Sequence, residues 1–342
     1  MKAALQHRYG PPDVVEVAEV DRPEATEDRV LVRVRAASVN RADLDGMRPR
    51  WQFIRLFNGF RRPKSPRIGI DVAGVVESVG PDVTRFKPGD RVFGDLFSFG
   101  AGAFAEYVCA RERAFAPIPE RMSFDDAATL PHSAVLALQG LRLRKGRSVG
   151  PGDRLLIVGA SGNVGPFAVQ IAKSRGAHVT GMCRTEKVEF VRSLGADEVL
   201  DYTAVDWTRG DVTYDWILDV DAHQSIVRSR RALRPGGVYV AQGGSALWLL
   251  QALFIAPFLS RFTDRWSGLL LWWRPFQAAQ DDVATLLALI AAGKLRPVID
   301  RRYSLDQIVD ALRWVEDGRA KGKVVILPVD GDRPAASGTL PA

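Results

Sequence analysis

The fold is decided by a glycine-rich turn that reads Gly159-Ala160-Ser161-Gly162-Asn163-Val164-Gly165. The apolar residues 155–158 before the turn predict a buried strand, and residues 163–175 after it predict a helix. Gly176 ends that helix, because glycine readily takes the left-handed conformation that closes a helix. A glycine-rich turn between strand and helix is the context that a dinucleotide site requires, although a tight turn without a ligand has the same local pattern.

Each glycine of the turn suits a phosphate-binding backbone. Gly162 lets the chain approach a pyrophosphate without a Cβ in the way, and Gly165 lets the helix pack close to the strand. The free N–H groups at the start of the helix then face the phosphates. We therefore assign five turn residues to a cofactor site: Ser161, Gly162, Asn163, Val164 and Gly165.

The end of the next predicted strand, residues 178–182, selects the cofactor. Enzymes that use NAD place an acidic residue there to bind the ribose 2′-hydroxyl. This chain has Cys183 and Arg184 instead, and a guanidinium forks onto a 2′-phosphate while Lys187 adds charge. Tyr202 covers the adenine end, unless it is an ordinary aromatic residue at the end of a strand. The pattern favours NADPH over NADH.

Strands and helices alternate around this turn, which predicts a doubly wound parallel sheet. The first 120 or so residues instead show short alternating segments cut by Gly and Pro, the pattern of an irregular β domain. Predicted strands include residues 30–36, 72–79, 91–93, 104–109, 198–200, 216–219, 238–241 and 323–327. Predicted helices include residues 187–194, 225–233, 281–292 and 305–317. The sequence therefore predicts an α/β fold of two domains that share a cleft.

Composition agrees with a globular enzyme. The chain has 342 residues, of which 46% are hydrophobic and 25% charged, a balance that a disordered or fibrous chain does not have. Its two cysteines, Cys109 and Cys183, do not indicate a disulfide framework and suit a reducing compartment. The N-terminus lacks the pattern of a signal peptide. We expect a cytoplasmic protein.

Positive charge is concentrated between Gly46 and Ile70. Seven basic residues and no acidic residue lie there: Arg48, Arg50, Arg55, Arg61, Arg62, Lys64 and Arg67. Such a field attracts phosphate groups, acidic lipid or nucleic acid. We favour a solvated loop, or the entrance to a site that admits a phosphorylated cofactor, over a macromolecular partner.

Several motifs in order carry a family resemblance. They lie at residues 37–43, 69–80, 88–93, 102–108, 159–165, 193–197 and 322–325. With them the chain resembles the medium-chain dehydrogenase/reductase superfamily, in its zinc-free quinone oxidoreductase branch. The resemblance implies a GroES-like β domain (residues 1–123 and 295–330) and a Rossmann domain (residues 124–294) with a hydrophobic insert at 245–276. We expect residues 331–342 to form a disordered tail.

Zinc-dependent members of this superfamily have Cys at the position of Asn40 and His at that of Ile70. They have a second ligand cysteine near Pro131-His132-Ser133, where this chain has none. Catalytic zinc needs three or four N, S or O ligands, so the resemblance implies an enzyme without metal. It also implies an NADPH-dependent reductase that transfers hydride to a quinone or a conjugated enone or enal.

The resemblance further suggests which residues act. Asn40 is the expected hydrogen-bond donor and Asp43 shapes its loop, while Thr129 and His132 position nicotinamide or substrate. Gly243 and Lys323 are assigned to the cofactor site. Alternatives stay open, because Asn40 could cap a helix, Asp43 could pair with Arg41 or Arg48, and His132 could be a satisfied core histidine. Asp45 stands where many relatives have an aromatic residue.

Two other functions fit the same pattern: a zinc-free NADP-dependent alcohol dehydrogenase, and a non-catalytic NADPH sensor that binds RNA or membrane. As partners we expect a small hydrophobic carbonyl or quinone substrate and a second copy of the chain, and no nucleic acid. The hydrophobic insert is too short to cross a bilayer. Together with Trp51, Phe53, Ile54, Phe57 and Phe60, it suggests a lid, a dimer interface or a peripheral membrane contact.

Cofactor preference should depend on Arg184. Replacing it (Arg184→Ala) removes a charge-assisted contact to the 2′-phosphate, a loss of roughly 1.5–3 kcal/mol for NADPH binding and little for NADH. Fluorescence titration with both cofactors measures the difference. Equal affinity of the unmodified protein for NADPH and NADH would contradict this assignment.

Overall fold

A computed structural model describes residues 1–49, 55, 59–143, 146–220, 222–262, 264–269 and 274–328. Four aromatic or aliphatic residues of the basic segment (Trp51, Phe53, Ile54 and Phe57), residues 270–273 of the insert and the predicted tail lie outside these ranges.

Fifteen strands build three sheets in the described part of the chain. They are β1 Lys2–Gln6, β2 Val15–Glu19, β3 Arg29–Val39, β4 Asp71–Val79, β5 Arg91–Asp95, β6 Tyr107–Arg111, β7 Phe115–Pro117, β8 Arg154–Val158, β9 His178–Cys183, β10 Glu198–Asp201, β11 Tyr214–Asp219, β12 Leu233–Ala241, β13 Trp266–Leu269, β14 Ile299–Ser304 and β15 Lys323–Leu327.

Helices connect these strands. They are α1 Arg41–Met47, α2 Phe124–Ala128, α3 Ser133–Gly140, α4 Gly165–Ser174, α5 Val188–Ser193, α6 Ile226–Ser229, α7 Ala246–Leu250, α8 Ala256–Arg261, α9 Gln280–Ala291 and α10 Ile308–Glu316. A π-helical turn, Gln251–Ile255, joins α7 to α8. Short 3-10 turns lie at Pro12–Val14, Phe97–Phe99, Glu112–Ala114, Thr185–Lys187, Arg230–Ala232, Phe276–Ala278 and Leu305–Gln307.

The central sheet is parallel, and its order is β10-β9-β8-β11-β12-β13. In chain order this is 3-2-1-4-5-6, the doubly wound arrangement of a Rossmann domain. The order reverses between β8 and β11, and ligands of such sheets bind at the carboxyl ends of the strands next to this reversal. The glycine-rich turn follows β8 and therefore lies at that point.

The other large sheet is mostly antiparallel and carries the order β14-β15-β3-β4-β5-β7, with β6 paired to β3. Strands β14 and β15 come from the C-terminal part of the chain. They join this sheet because β15 pairs with the central strand β3. The chain thus leaves the β domain for the Rossmann sheet and returns to it. This agrees with the predicted α/β architecture, while the domain boundaries near residues 123 and 294 remain predictions.

The structure differs from the sequence prediction in several elements. Strand β12 begins at Leu233 rather than at residue 238, and its register to β11 shifts between Tyr214 and Trp216. The helix predicted at 225–233 is shorter, ending at Ser229 before a 3-10 turn. Strand β13 was not predicted, because it lies inside the hydrophobic insert, where continuous apolarity hides its period.

The insert contains a helical segment, residues 246–261, with apolar residues on two sides. Trp248, Ala252 and Ala256 are buried in a core cluster with Tyr239 and Trp207. Phe254 is 74% exposed. The segment therefore packs on the Rossmann domain through the side that carries Trp248, which belongs to the core.

These two sides should respond differently to truncation. Trp248→Ala empties a packed site and should destabilise the protein by about 3–5 kcal/mol. Phe254→Ala on the same segment removes mainly exposed surface and should change stability by less than about 0.5 kcal/mol. Urea unfolding of both variants measures the difference. Equal destabilisation would mean that the exposed side is also covered within the folded chain.

Candidate active site

The glycine-rich turn has the shape of a phosphate-binding turn. A Cβ at Gly165 would collide with the Gly159 carbonyl and the Ala160 backbone, so only glycine lets α4 pack here. At Gly162 the nearest atom to a Cβ would be 3.6 Å away, which leaves room on that side of the turn. Within the described ranges, the backbone N–H groups of Asn163 and Val164 have no protein acceptor. Two open donors at a helix start suit an anionic group.

Side chains and carbonyls of the same turn hold the two domains together. Asn163 donates its side-chain Nδ2 to the Val39 carbonyl at the end of β3 (3.0 Å). The Ser161 carbonyl accepts from the backbone N–H of Gly322, just before β15 (3.2 Å). The Nδ2 of Asn163 is therefore used within the protein, at the junction of the two domains.

The strand that selects the cofactor ends as the sequence predicted. Strand β9 ends at Cys183, and exposed Arg184 follows without an acidic residue at the strand tip. The Arg184 Nε donates to the Tyr202 hydroxyl (2.5 Å), and this hydrogen bond raises the pKa of Arg184. Asp201 carries the carboxylate at the end of the next strand, β10. It accepts hydrogen bonds from Thr203 and Thr185. Arg184 and Tyr202 thus lie side by side, and their assignment to the 2′-phosphate and the adenine end stays a prediction.

Lys187 is placed differently from our prediction. Its ammonium is buried and donates to the carbonyls of Gly318 and Ala320, each at 2.6 Å. Burial lowers the pKa of Lys187. The side chain therefore ties the Rossmann domain to the segment before β15, and we no longer assign it to the 2′-phosphate. Gly243 lies beyond the end of β12, where its carbonyl accepts from Ala222 N–H (3.3 Å).

A buried polar cluster lies where the β domain meets the cleft. Asn40 follows β3, Asp71 begins β4 and Lys323 begins β15, and these strands are neighbours in the order β15-β3-β4. Ser133 begins α3 and completes the group. All four residues are at most 1% exposed. Adjacent strands thus bring together residues that are up to 283 positions apart in the sequence.

Lys323 is the centre of this cluster. Its Nζ donates to Asn40 Oδ1 (2.6 Å), Asp71 Oδ2 (3.2 Å) and Ser133 Oγ (3.2 Å). We predicted a cofactor contact for Lys323, but all three donors of its ammonium are used inside the protein. Burial lowers the pKa of Lys323 and the negative charge of Asp71 opposes this. Lys323 and Asp71 form a buried ion pair.

Asn40 is also fully engaged. Its Oδ1 accepts from Lys323 and Ser133 (2.9 Å), and its Nδ2 donates to Asp71 Oδ2 (2.8 Å) and more weakly to the Ser38 carbonyl (3.4 Å). Our expectation that this amide donates to substrate does not agree with these contacts. Asn40 is also the N-cap residue of α1, which agrees with the alternative that it caps a helix. The Asn40 amide links the Lys323 ammonium to the Asp71 carboxylate.

Asp43 lies in the first turn of α1 and accepts from the Asn40 backbone N–H (2.8 Å). Its other oxygen, Oδ1, is buried without a hydrogen-bond partner among the described residues. Burial raises the pKa of Asp43 to about 7, although the bond from Asn40 opposes the shift. The pairing with Arg41 that we considered belongs to Asp45 instead (3.5 Å). Asp43 is thus hydrogen-bonded to the backbone at Asn40, and its role in shaping the Asn40 loop stays a prediction.

His132 is the cluster's most exposed member, with 11% of its side chain accessible. Its Nδ1 lies 3.0 Å from Asp95 Oδ2, and its backbone N–H donates to Asp71 Oδ1 (3.1 Å). Burial alone would lower the pKa of His132, but the charge and hydrogen bond of Asp95 more than offset this and raise it. The imidazole ring also lies near Phe97, with centroids 5.7 Å apart.

Thr129 does not join the cluster. It is fully buried, and its hydroxyl donates to the Asp126 carbonyl of α2 (2.7 Å). The predicted role in positioning nicotinamide or substrate is therefore not supported by its placement. The sequence reasoning missed Asp71, Asp95 and Ser133 as members of the site. Acidic residues within the otherwise apolar strands β4 and β5 are the signal that could have revealed the first two.

No group of three or more His, Cys, Asp or Glu side chains is arranged to hold a metal ion in the described residues. Nor does any helix in those ranges have the length and apolarity needed to span a membrane.

The fold and this site define a two-domain, dinucleotide-dependent oxidoreductase. The family model described as "Alcohol dehydrogenase GroES-like domain" matches residues 26–120, and the one described as "Zinc-binding dehydrogenase" matches residues 194–326. The chain belongs to the medium-chain dehydrogenase/reductase superfamily, in its quinone oxidoreductase branch.

Three relatives illustrate this membership. The chain is 33% identical to the 2-methylene-furan-3-one reductase of Solanum lycopersicum, over 96% of this chain and 79% of the relative. It is 31% identical to the chloroplastic NADPH-dependent alkenal/one oxidoreductase of Arabidopsis thaliana, over 96% and 80%. The structure of the quinone oxidoreductase from Coxiella burnetii superposes with a TM-score of 0.83 at 28% identity, covering 96% and 99%.

The raised pKa of Asp43 should make stability depend on pH. The folded state holds the proton up to about pH 7, whereas an unfolded Asp releases it near pH 4. Stability from this group is therefore present below pH 4 and is lost as the pH rises to 7. As the pH rises over that interval, the free energy of unfolding of Asp43→Asn should increase relative to that of the unmodified protein, by on the order of 2–4 kcal/mol.

Chemical unfolding at a series of pH values measures this gain. Asp45→Asn is the matched control, because Asp45 is a partly exposed residue of the same helix. A constant difference between Asp43→Asn and the unmodified protein from pH 4 to 8 would contradict the assigned pKa.

Proposed function

We propose that the protein is an NADPH-dependent, zinc-independent reductase that transfers hydride to a quinone or a conjugated enone or enal. One observation carries the zinc-independent part. The ammonium of Lys323 contacts Asn40, which stands where zinc-dependent relatives have a ligand cysteine, and Ser133, near which those relatives have a second one. An amide, a hydroxyl and a lysine cation are not a donor set for zinc, which takes thiolate, imidazole and carboxylate. The chain supplies its own cation at this position.

The described residues fit NADPH. The open N–H groups of Asn163 and Val164 would hold the pyrophosphate, and Arg184, backed by Tyr202, would hold the 2′-phosphate. An exposed guanidinium and no acidic residue at the tip of β9 disfavour NADH. The NADPH dependence named for the Arabidopsis thaliana relative supports the same choice.

When bound, NADPH supplies the hydride, and the protein must then stabilise the negative charge that develops on the substrate oxygen. Lys323 and Asp71 form a buried ion pair behind the cleft, a fixed dipole whose positive end is the Lys323 ammonium and whose field low dielectric strengthens. Asn40 and Ser133 hold the ammonium in place so that no reorganisation is needed during the reaction. This environment suits an electron-poor acceptor such as a quinone or enone. The acceptors named for the three relatives support this substrate class.

We assign the proton donor to His132. Its imidazole is the most exposed group of the cluster, and Asp95 orients it through Nδ1. Because the pKa of His132 is raised, its imidazole stays protonated to a higher pH than a free histidine does. The reduction rate should fall as the pH rises through that pKa. A homodimer and a cytoplasmic location stay predictions.

The test is NADPH oxidation against a panel of quinones, enals and enones, with and without a zinc chelator. Activity should be independent of the chelator, and the purified protein should contain less than stoichiometric zinc. The double variant Lys323→Met/Asp71→Asn removes the buried ion pair without leaving a lone charge, so it should stay folded. Its reduction rate should fall by about a hundredfold, because the stabilising cation is gone.

Three outcomes would argue against the proposal. Stoichiometric zinc that leaves together with activity would overturn the metal-free assignment. Reduction of NADP that depends on an added alcohol, without enone turnover, would favour the alcohol dehydrogenase alternative. A folded Lys323→Met/Asp71→Asn protein with the full rate would remove Lys323 from the mechanism.

A further inference from the structure

A row of exposed apolar side chains follows the helical segment 246–261 and the residue after it. We call this surface the apolar ridge, and it consists of Leu247, Leu250, Leu253, Phe254, Phe258 and Phe262. Each of these residues is between 47% and 74% exposed. The rings of Phe258 and Phe262 contact each other, with centroids 4.7 Å apart. A contiguous exposed apolar surface of this kind marks an interaction site on a soluble fold.

The ridge is not needed to hold the segment on the protein. Trp248, Ala252 and Ala256, on the opposite side, already pack into the core of the Rossmann domain. The segment is therefore apolar on both sides, while a surface helix ordinarily presents polar residues to water. Some other apolar surface must cover the ridge in its working state.

A cationic pocket lies on the same domain. It has a volume of about 460 Å³ and is lined by Thr208, Arg209, Gly210, Arg228 and Arg231. Arg209 pairs with Asp206 (3.2 Å), whereas Arg228 and Arg231 have no ion-pair partner in the described part of the chain. We call this the arginine pocket. Its guanidinium groups suit a phosphate.

The arginine pocket is separate from the cofactor site. Gly210 lies shortly before Tyr214, the first residue of β11, and Arg231 lies shortly before Leu233, the first residue of β12. The pocket is therefore at the amino ends of these strands. The glycine-rich turn follows the carboxyl end of β8, and all of these strands are parallel. The pocket and the turn lie at opposite ends of the sheet.

The ridge approaches the pocket end of the sheet. The helical segment leaves the carboxyl end of β12 and leads to the amino end of β13, so Phe258 and Phe262 lie toward the pocket. Contacts join the two features, because the N–H of Ile226 donates to Gln251 Oε1 (3.0 Å) and Arg230 Nη1 donates to the Arg265 carbonyl (2.9 Å). The element that carries Arg228 and Arg231 therefore packs directly against the ridge segment.

We propose that the apolar ridge and the arginine pocket form one surface that rests on an anionic membrane. The ridge enters the boundary between headgroups and acyl chains, and the pocket takes the phosphate of an acidic lipid. This combination of apolar and basic side chains is the signature of a helix that lies in the interface plane. The proposal does not depend on the reductase activity.

Charge favours a membrane over a second copy of the chain as the partner. A twofold interface buries the same patch on both subunits, and the segment 246–261 carries no acidic residue that could pair with the arginines of a second copy. Arg261, on α8 itself, adds to this charge. An anionic lipid surface instead complements the ridge and the arginines together.

The experiment is co-sedimentation of the full chain with vesicles of phosphatidylcholine alone and of phosphatidylcholine mixed with phosphatidylglycerol. The unmodified protein should bind the mixed vesicles at low salt and bind the neutral vesicles far less. Arg228→Gln/Arg231→Gln should weaken this binding by about tenfold or more, since each basic residue near an anionic surface contributes substantially. Arg8→Gln/Arg121→Gln removes the same charge from exposed sites in the β domain and should weaken it much less.

The apolar part is tested with Phe254→Ser/Phe258→Ser, which should reduce binding to mixed vesicles by at least about tenfold. The melting temperature and reductase rate of this variant should match the unmodified protein, because both residues lie outside the core and the site. The proposal fails if the unmodified protein ignores the mixed vesicles, or if neither the ridge nor the pocket variant changes binding. It also fails if the protein is a dimer in solution that Phe254→Ser/Phe258→Ser converts to a monomer.

Discussion

The buried ion pair between Lys323 and Asp71 connects every part of the site. Lys323 belongs to the last strand, Asp71 to an early one, and Asn40 and Ser133 bring the ends of β3 and α3 to the same point. A charged pair this deeply buried is stable only when its remaining donors and acceptors are satisfied, and here they are. The C-terminal return of the chain is therefore part of the candidate active site, and the β domain is complete only when β15 is in place.

The same geometry places the cofactor turn against the cluster. Asn163 contacts the end of β3 through its side chain, and the Ser161 carbonyl contacts the backbone just before Lys323. Lys187 adds a third tie, from the start of the second Rossmann helix to the segment that leads into β15. Residues chosen from the sequence for binding phosphate thus also hold the two domains in register.

The two ends of the Rossmann sheet have separate chemistry. The carboxyl end carries the glycine-rich turn and Arg184, and the amino end carries the arginine pocket. The helical insert runs between these ends, with a buried side that stabilises the domain and an exposed side that does not. Surface that contributes nothing to folding and costs solubility calls for a partner. An enzyme for hydrophobic acceptors would gain from a position beside the lipid phase that contains them.

The sequence alone determined the fold class, the cofactor turn and the preference for NADPH, because these depend on local patterns. A strand, a turn with Gly162 and Gly165, a helix and then Arg184 at the next strand end occur within about thirty consecutive residues. Only the tertiary structure decided the roles of Lys187, Lys323, Asn40 and Trp248. The ammonium groups of Lys187 and Lys323 are satisfied by residues that no local pattern associates with them, and Trp248 differs from Phe254 only in the side of the segment that packs. Hydrogen-bond satisfaction and burial across distant segments are properties of the assembled sheets, and for that reason they could not be predicted from the linear chain.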